Sequence, residues 1–136
     1  MRGRAETAMR EENAMIEKLP ELVNGDQLLV HRGRFLSATM LFEATPDVWR
    51  LRIEQGRIAA VERHISPMGD WRFALRAPRA EWQEFWKPIP PPGHHDLFAL
   101  LKRRVLRMEG DLQPLWANMM YVKDVLAKPR QLGRPA

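Results

Sequence analysis

Residues 48–65, VWRLRIEQGRIAAVERHI, decide the fold class. Trp49, Leu51 and Ile53 alternate with Arg50, Arg52 and Glu54, a period of two that gives a strand one apolar and one charged face. Gln55, Gly56 and Arg57 then supply a tight turn, with Gly56 free to take positive φ, and residues 57–65 return as a second strand. The segment therefore reads as an antiparallel hairpin. Upstream, RFLSATMLFEA (34–44) is a mostly apolar run of strand length, which predicts a strand buried on much of both faces. Downstream, SPMGD is a loop and WRFALRA (71–77) alternates again, with Trp71, Phe73, Leu75 and Ala77 on one side. Taken in order, these segments read as a three- or four-strand meander.

On either side of the strands the pattern is helical. Residues 6–19 are helix formers with a thin apolar stripe of Ala8, Met9, Met15, Ile16 and Leu19. LPELVNG restarts with Pro20 in a first turn and stops at Gly25. After Pro78, RAEWQEFW places Trp82, Phe85 and Trp86 at i, i+3 and i+4, so a short helix presents an aromatic edge. That edge reads either as a cap over the end of the sheet or as a rim that touches ligand or membrane. KPIPPPG (87–93) is extended and proline-rich. HHDLFALLKRR starts a helix, with Asp96 as its N-cap and Leu97, Leu100 and Leu101 inward. VLRME is a last short strand.

The closing segment, GDLQPLWANMMYVKDVL (110–126), carries the most unusual helix. Asp111 is placed to accept the Gln113 N–H, and Pro114 fits a first turn because it has no N–H to satisfy. Leu112, Leu115, Trp116, Met119, Met120, Tyr121, Val122, Val125 and Leu126 leave it apolar on far more than one stripe. Such a helix is buried on nearly every side, or turns part of its surface to something other than protein. The basic tail KPRQLGRPA is expected to fray. Helices, strands, helices, one strand and a final helix make an α+β domain.

With 136 residues, 45% hydrophobic and 29% charged, the chain reads as one globular domain. No apolar run approaches the roughly 20 residues of a membrane helix. The charged N-terminal stretch lacks the apolar core of a signal peptide, and there is no cysteine, so a cytoplasmic location is expected. A formal charge of +5 favours anionic partners. Arg50, Arg52, Arg72 and Arg76 are expected on the solvent face of the sheet. Lys102, Arg103, Arg104 and Arg107 form the densest basic run, suited to solvent, a phosphate or an anionic bilayer. No nucleic-acid motif accompanies these charges, so nucleic acid is not an expected partner.

No catalytic, metal or cofactor site is expected. Ser37 falls within a strand and Ser66 in a turn, neither in a nucleophile elbow. His94 and His95 diverge at a helix start, and His31 and His64 provide no second ligand pair. Glu81 and Glu84 read as ordinary surface carboxylates.

Residues 33–126 resemble the sterol carrier protein-type domain, a small lipid-binding α+β family. The resemblance rests on VWRLRIEQGRIAAVERH, on DWRFALRAPRAEWQEF and on LLKRRVLRMEGDLQPLWANMM, in that order. It implies a mostly antiparallel twisted sheet of about five strands with helices packed on one face, sterol-carrier-like in arrangement. The N-terminal 30 residues have no counterpart in the family, so the expected division is a helical N-terminal extension over 1–32, the domain itself over 33–128 and a basic tail over 129–136. The resemblance places an apolar tunnel between sheet and helices for a fatty acid, acyl-CoA or sterol-like ligand. Trp49, Leu51, Trp71, Phe73 and Leu75 would wall it from the sheet, Leu100 from the helix after the proline run, and Trp116, Met119, Met120 and Val122 from the last helix. KPIPPPGHH replaces the family's usual Gly/Asp-rich connection, and GRPA stands where some members carry a Ser-Lys-Leu type of ending. A rival reading is an interaction or dimerisation module, its cavity filled by its own Met and Trp side chains and its aromatic edge and proline loop docking a partner enzyme or a second copy.

Overall fold

The computed structural model describes residues 2–63 and 70–133, with the side chains of 2, 4–9 and 133 left aside. Five strands form one sheet: β1 (Ala38–Thr45), β2 (Asp47–Glu54), β3 (Arg57–Arg63), β4 (Phe73–Pro78) and β5 (Arg107–Gly110). Their order is β3-β2-β1-β4-β5. The expected hairpin is present as β2 and β3, turning through Gln55 and Gly56 at φ 50° and 82°. Two successive positive φ values match the right-handed twist of the flanking strands.

The meander expectation is corrected beyond β3. β4 does not continue beside β3; it crosses to the far side of β1 and pairs with it parallel, Met40 opposite Phe73 and Ala44 opposite Ala77. The reason lies in β1 itself. Leu41 on β1 and Ala74 on β4 face each other on the side away from the helices, yet both are buried. With Met40, Leu41, Phe42 and Ala44 all buried, β1 suits a central place with a neighbour on each edge. Its N-terminal part is shorter than expected: the strand begins at Ala38, after a turn in which the Leu36 N–H donates to the Gly33 carbonyl at 2.8 Å.

On the helix-facing side, Met40, Phe42 and Ala44 meet Trp49, Leu51 and Ile53 from β2 and Phe73, Leu75 and Ala77 from β4 in one apolar core. The opposite face carries paired charges. Arg50 bonds Glu62 at 3.0 Å, and Arg76 bonds Glu43 at 3.1 Å and Glu109 at 3.2 Å. Arginine stems lie along apolar surface while their heads stay wet, and Arg50 stands opposite Leu41 on this face, with Arg76 two residues from Ala74.

Helices α1 (Arg2–Glu17), α2 (Leu19–Asn24) and α3 (Gln27–Arg32) precede the sheet. Ile16, Leu19, Val23 and Leu29 from them join the same core as the strands. The Asn24 side chain takes the Ile58 N–H at 2.8 Å and donates to the Ile58 carbonyl at 3.0 Å, so α2 occupies backbone groups of the β3 edge. Arg79, at the start of α4 (Arg79–Phe85), bonds Glu12 of α1 at 3.0 Å and Asp47 of β2 at 2.6 Å. Residues 128–133, expected to fray, form a short 3-10 helix. Arg130 holds it down, donating to the Phe85 carbonyl at 2.6 Å and the His95 carbonyl at 2.7 Å.

Around Gly56 the packing leaves no room. Its N–H donates to the Leu36 carbonyl at 3.2 Å, and a Cβ there would sit 2.3 Å from the Val30 carbonyl oxygen. Gly56→Ala therefore combines an unfavourable positive φ with a backbone clash, and is expected to lower stability by about 3 kcal/mol in urea denaturation. A loss below about 0.5 kcal/mol would show that the turn is free to move.

Candidate functional site

The site forms where α5 (Leu97–Lys102), α6 (Gln113–Ala117) and α7 (Met119–Ala127) converge. Asp96 caps α5 as the sequence predicts, accepting the Ala99 N–H at 2.8 Å. Leu97 and Leu100 enter the core, and Phe98, off that stripe, stays 43% exposed. Asp111 likewise accepts the Gln113 N–H, at 3.3 Å.

The last helix is not one helix. It breaks at Asn118, whose φ of −123° and ψ of 24° leave the helical region. Its side chain donates to the Pro114 carbonyl at 2.9 Å, and its own N–H donates to Leu115 at 3.1 Å, closing α6 tightly. An asparagine that competes for backbone partners ends the helix that apolar periodicity alone would continue. The break also explains how so apolar a segment is accommodated. Leu115, Met119, Tyr121, Val122, Val125 and Leu126 are buried, while Trp116 and Met120 are 51% and 52% exposed.

Tyr121 holds α7 in place. Its hydroxyl donates to the Gly56 carbonyl at 2.6 Å, and its ring lies where a Cβ on Gly33 would come within 2.4 Å. Burial pushes the phenol's pKa upward, so the group stays a neutral donor.

Around the break lies a hollow of about 280 Å³. Phe98, Trp116, Met119, Met120 and Tyr121 line it, with Ala117 and Asn118 at the break and Arg32 of α3 on one side. Of the residues expected at a ligand wall, Trp116, Met119 and Met120 meet here. Trp49, Leu51, Phe73, Leu75, Leu100 and Val122 lie instead in the closely packed core behind it, and Met119 belongs to both groups. Trp71 stands apart, half-buried before β4, its ring beside Gly110.

Sequence reasoning missed Arg32, Phe98 and Ala117. Phe98 carried a readable signal, a large apolar side chain off the inward stripe; Arg32 carried none. The aromatic edge of α4 is not a rim. Trp82, Phe85 and Trp86 are buried, Trp82 and Trp86 against Phe42 and Phe85 against Trp82, with Trp82 and Phe42 centroids 4.7 Å apart. Both indole N–H groups are used, Trp82 to the Glu43 carbonyl and Trp86 to the Leu126 carbonyl, each at 2.9 Å.

The crystal structure of sterol carrier protein 2 matches with a TM-score of 0.70 at 14% identity, over 87% of this chain and 95% of its own. The chain has the sterol carrier protein 2 fold. Coverage that long exceeds residues 33–126, so the likeness takes in more than the segment that carries the sequence resemblance. The solution structure of a conserved hypothetical protein from Thermus thermophilus, described as possibly a sterol carrier protein, matches with a TM-score of 0.63 at 13% identity, over 90% of this chain and 88% of its own. The UbiJ-SCP2 ubiquinone synthesis protein matches with a TM-score of 0.52 at 20% identity, over 90% and 93%. No model of a known protein family matches the sequence, and no curated protein matches it.

On this sterol carrier fold several charged groups near the hollow pair with one another. A second hollow of about 380 Å³ adjoins through Arg32 and contains Asp26, Leu28, Asp124 and Lys128. Arg32 pairs with Asp124, and Lys128 with Asp26 at 2.7 Å. In the basic run, Arg103 bonds Glu81 at 2.7 Å and lies 3.1 Å from the His94 ring, while Arg107 bonds Glu109 at 2.8 Å. Arg103 foremost, then His94, holds the Glu81 carboxyl below its ordinary pKa. Ser37 accepts the Gln55 N–H at 2.9 Å, a turn contact; Ser66 and His64 lie outside the described residues. Among the described residues, no helix is long and apolar enough to cross a membrane.

Asp26 offers a test of this charge pairing. Hydrogen bonds from Lys128 and from the Leu29 N–H hold its carboxyl below the ordinary value. A carboxylate depressed on folding contributes stability above its unfolded pKa and loses it as pH falls through the folded one. Asp26→Asn keeps a capping side chain without the charge. The urea midpoint gap between wild type and this variant is expected to be full at pH 7 and to shrink as pH drops below about 4. A gap constant with pH would remove the ion pair from the account.

Proposed function

We propose that the chain binds a lipid-like molecule without acting chemically on it, and that the ligand's apolar part enters at the α6–α7 break. The hollow lined by Phe98, Trp116, Met119 and Met120 carries this reading. Large apolar side chains around a concavity gain from any ligand that displaces water, at roughly 25 cal/mol per Å² covered. Methionine is flexible and polarizable, and repacks around chains of different shape. At about 280 Å³ the hollow is near the lower end of ligand pockets, which start at roughly 300 Å³. It suits part of an acyl, isoprenoid or sterol-like molecule rather than the whole of one. Met119 joins hollow and core, and is the side chain that would shift if a ligand reached deeper. The sterol carrier fold supports the same reading, and a cytoplasmic location accords with the absence of cysteine.

A second reading has the chain present its ligand to an enzyme of lipid biosynthesis. It draws on the likeness to a ubiquinone synthesis protein and on Ile89, fully out in solvent on the proline loop. Such a role uses the loop as a contact and leaves the hollow to the ligand. With Trp82, Phe85 and Trp86 buried, the loop is what remains of the expected docking edge.

Native mass spectrometry of the purified protein, with extraction of whatever co-purifies, tests the first reading. A stoichiometric adduct is expected. Ala117 is exposed within the hollow, so Ala117→Trp fills the space without entering the core and is expected to lower ligand occupancy at least tenfold. A clean apo mass that also refuses fatty acids, acyl-CoA and sterols would overturn the reading. So would an Ala117→Trp variant that carries as much ligand as wild type.

A further inference from the structure

Among the described residues, seven large apolar side chains are well exposed: Leu28, Phe35, Ile89, Phe98, Trp116, Met120 and Leu132. Three of the seven, Phe98, Trp116 and Met120, come from separate helices on either side of the Asn118 break to line one hollow. Exposed aromatic and aliphatic groups that converge in this way mark a surface that meets something apolar.

The charges at its rim indicate what. Arg32 lines the hollow itself. Lys102 follows Phe98 by one turn of α5 and so shares its face, and Lys123 follows Met120 by one turn of α7. The carboxylate in this ring is Asp124, which pairs with Arg32 and lies 3.7 Å from Lys123. Three cations against one anion leave the rim net positive. Lys102 is exposed and has no ion pair among the described residues.

We propose that the corner where α5, α6 and α7 meet docks on an anionic lipid bilayer, Trp116, Phe98 and Met120 entering the interface and Arg32, Lys102 and Lys123 reaching lipid phosphates. An indole sits between the wet headgroups and the acyl region, and lysine stems extend along apolar surface to place their ammonium groups in water. Anionic headgroups attract each such cation. A second copy of the chain is a poorer occupant, because face-to-face contact would set two cationic rims against each other. The proposal extends the ligand reading, since a ligand that leaves a membrane directly into the hollow never crosses water.

The tryptophans make the test direct. Trp49, Trp82 and Trp86 are buried and Trp71 is half-buried, so in a Trp71→Phe background Trp116 is the one indole free to change surroundings. Vesicles of phosphatidylcholine with roughly 30% phosphatidylserine are expected to bind the protein and shift Trp116 emission to the blue, with weakening as salt approaches about 1 M. Pure phosphatidylcholine vesicles are expected to bind at least tenfold more weakly. Trp116→Ser with Met120→Ser should abolish sedimentation with vesicles, and Lys102→Glu, a surface change, should reduce it several-fold. Circular dichroism checks that each variant is folded.

Absence of vesicle binding overturns the docking, whether or not a lipid co-purifies. Vesicle binding that both variants leave intact overturns it too. A doubled native mass that Trp116→Ser removes would assign the surface to a second copy instead. Vesicle binding with a clean apo mass supports docking while removing the ligand reading, so the two fail separately.

Discussion

The Tyr121 hydroxyl on the Gly56 carbonyl is the contact on which the arrangement of this fold turns. It joins the last helix to the turn between β2 and β3, two segments 65 residues apart in sequence. The tyrosine ring passes over Gly33, and the same turn receives Leu36 through the Gly56 N–H. Helix α7, the lead into β1 and the hairpin thus meet at one point with no space for a methyl group. Fixing Tyr121 inward fixes its neighbour Met120 outward, because consecutive helical residues point about 100° apart. The exposed methionine at the hollow thus sits next to a residue anchored by a buried hydrogen bond.

The division of labour between the two faces of the sheet follows from strand chemistry. Strands β2 and β3 alternate, and their polar residues form ion pairs in water that are each worth little. Strands β1 and β4 bury Leu41 and Ala74 on the outer side as well as their helix-facing residues, and they pair parallel near the middle of the sheet.

Much of this was legible in the sequence because it rests on local rules. The hairpin at Gln55-Gly56, the cap at Asp96, the Asp111 contact to the Gln113 N–H, and the α+β arrangement all follow from period, turn chemistry and side-chain acceptors within a few residues. What escaped depended on distant partners. Helix α3 has six residues with no clear stripe, and it is set by the Asp26 cap and by its packing. The crossing of β4 to β1 is decided by which edge is apolar, which periodicity along one strand does not reveal. The aromatic edge of α4 read first as a cap, with a rim as the alternative, and the carbonyls of Glu43 and Leu126, 39 and 40 residues away, resolve it as cap. At the candidate site, Trp116, Met119 and Met120 were readable from one segment. Arg32 was not, since only the fold brings it there.

The anchoring of residues 128–133 has a consequence for how the chain reaches its final form during synthesis. Lys128 meets Asp26 across 102 residues, and Arg130 fastens the carbonyls of Phe85 and His95. The strands and first helices emerge from the ribosome long before these partners exist. Until α7 arrives, the apolar side of the sheet stands open, with Phe42, Trp49 and Leu75 awaiting part of their cover. Such an intermediate exposes a broad apolar surface, which is prone to self-association. The charged outer face and the occupied β3 edge limit that hazard while the nascent domain waits to close.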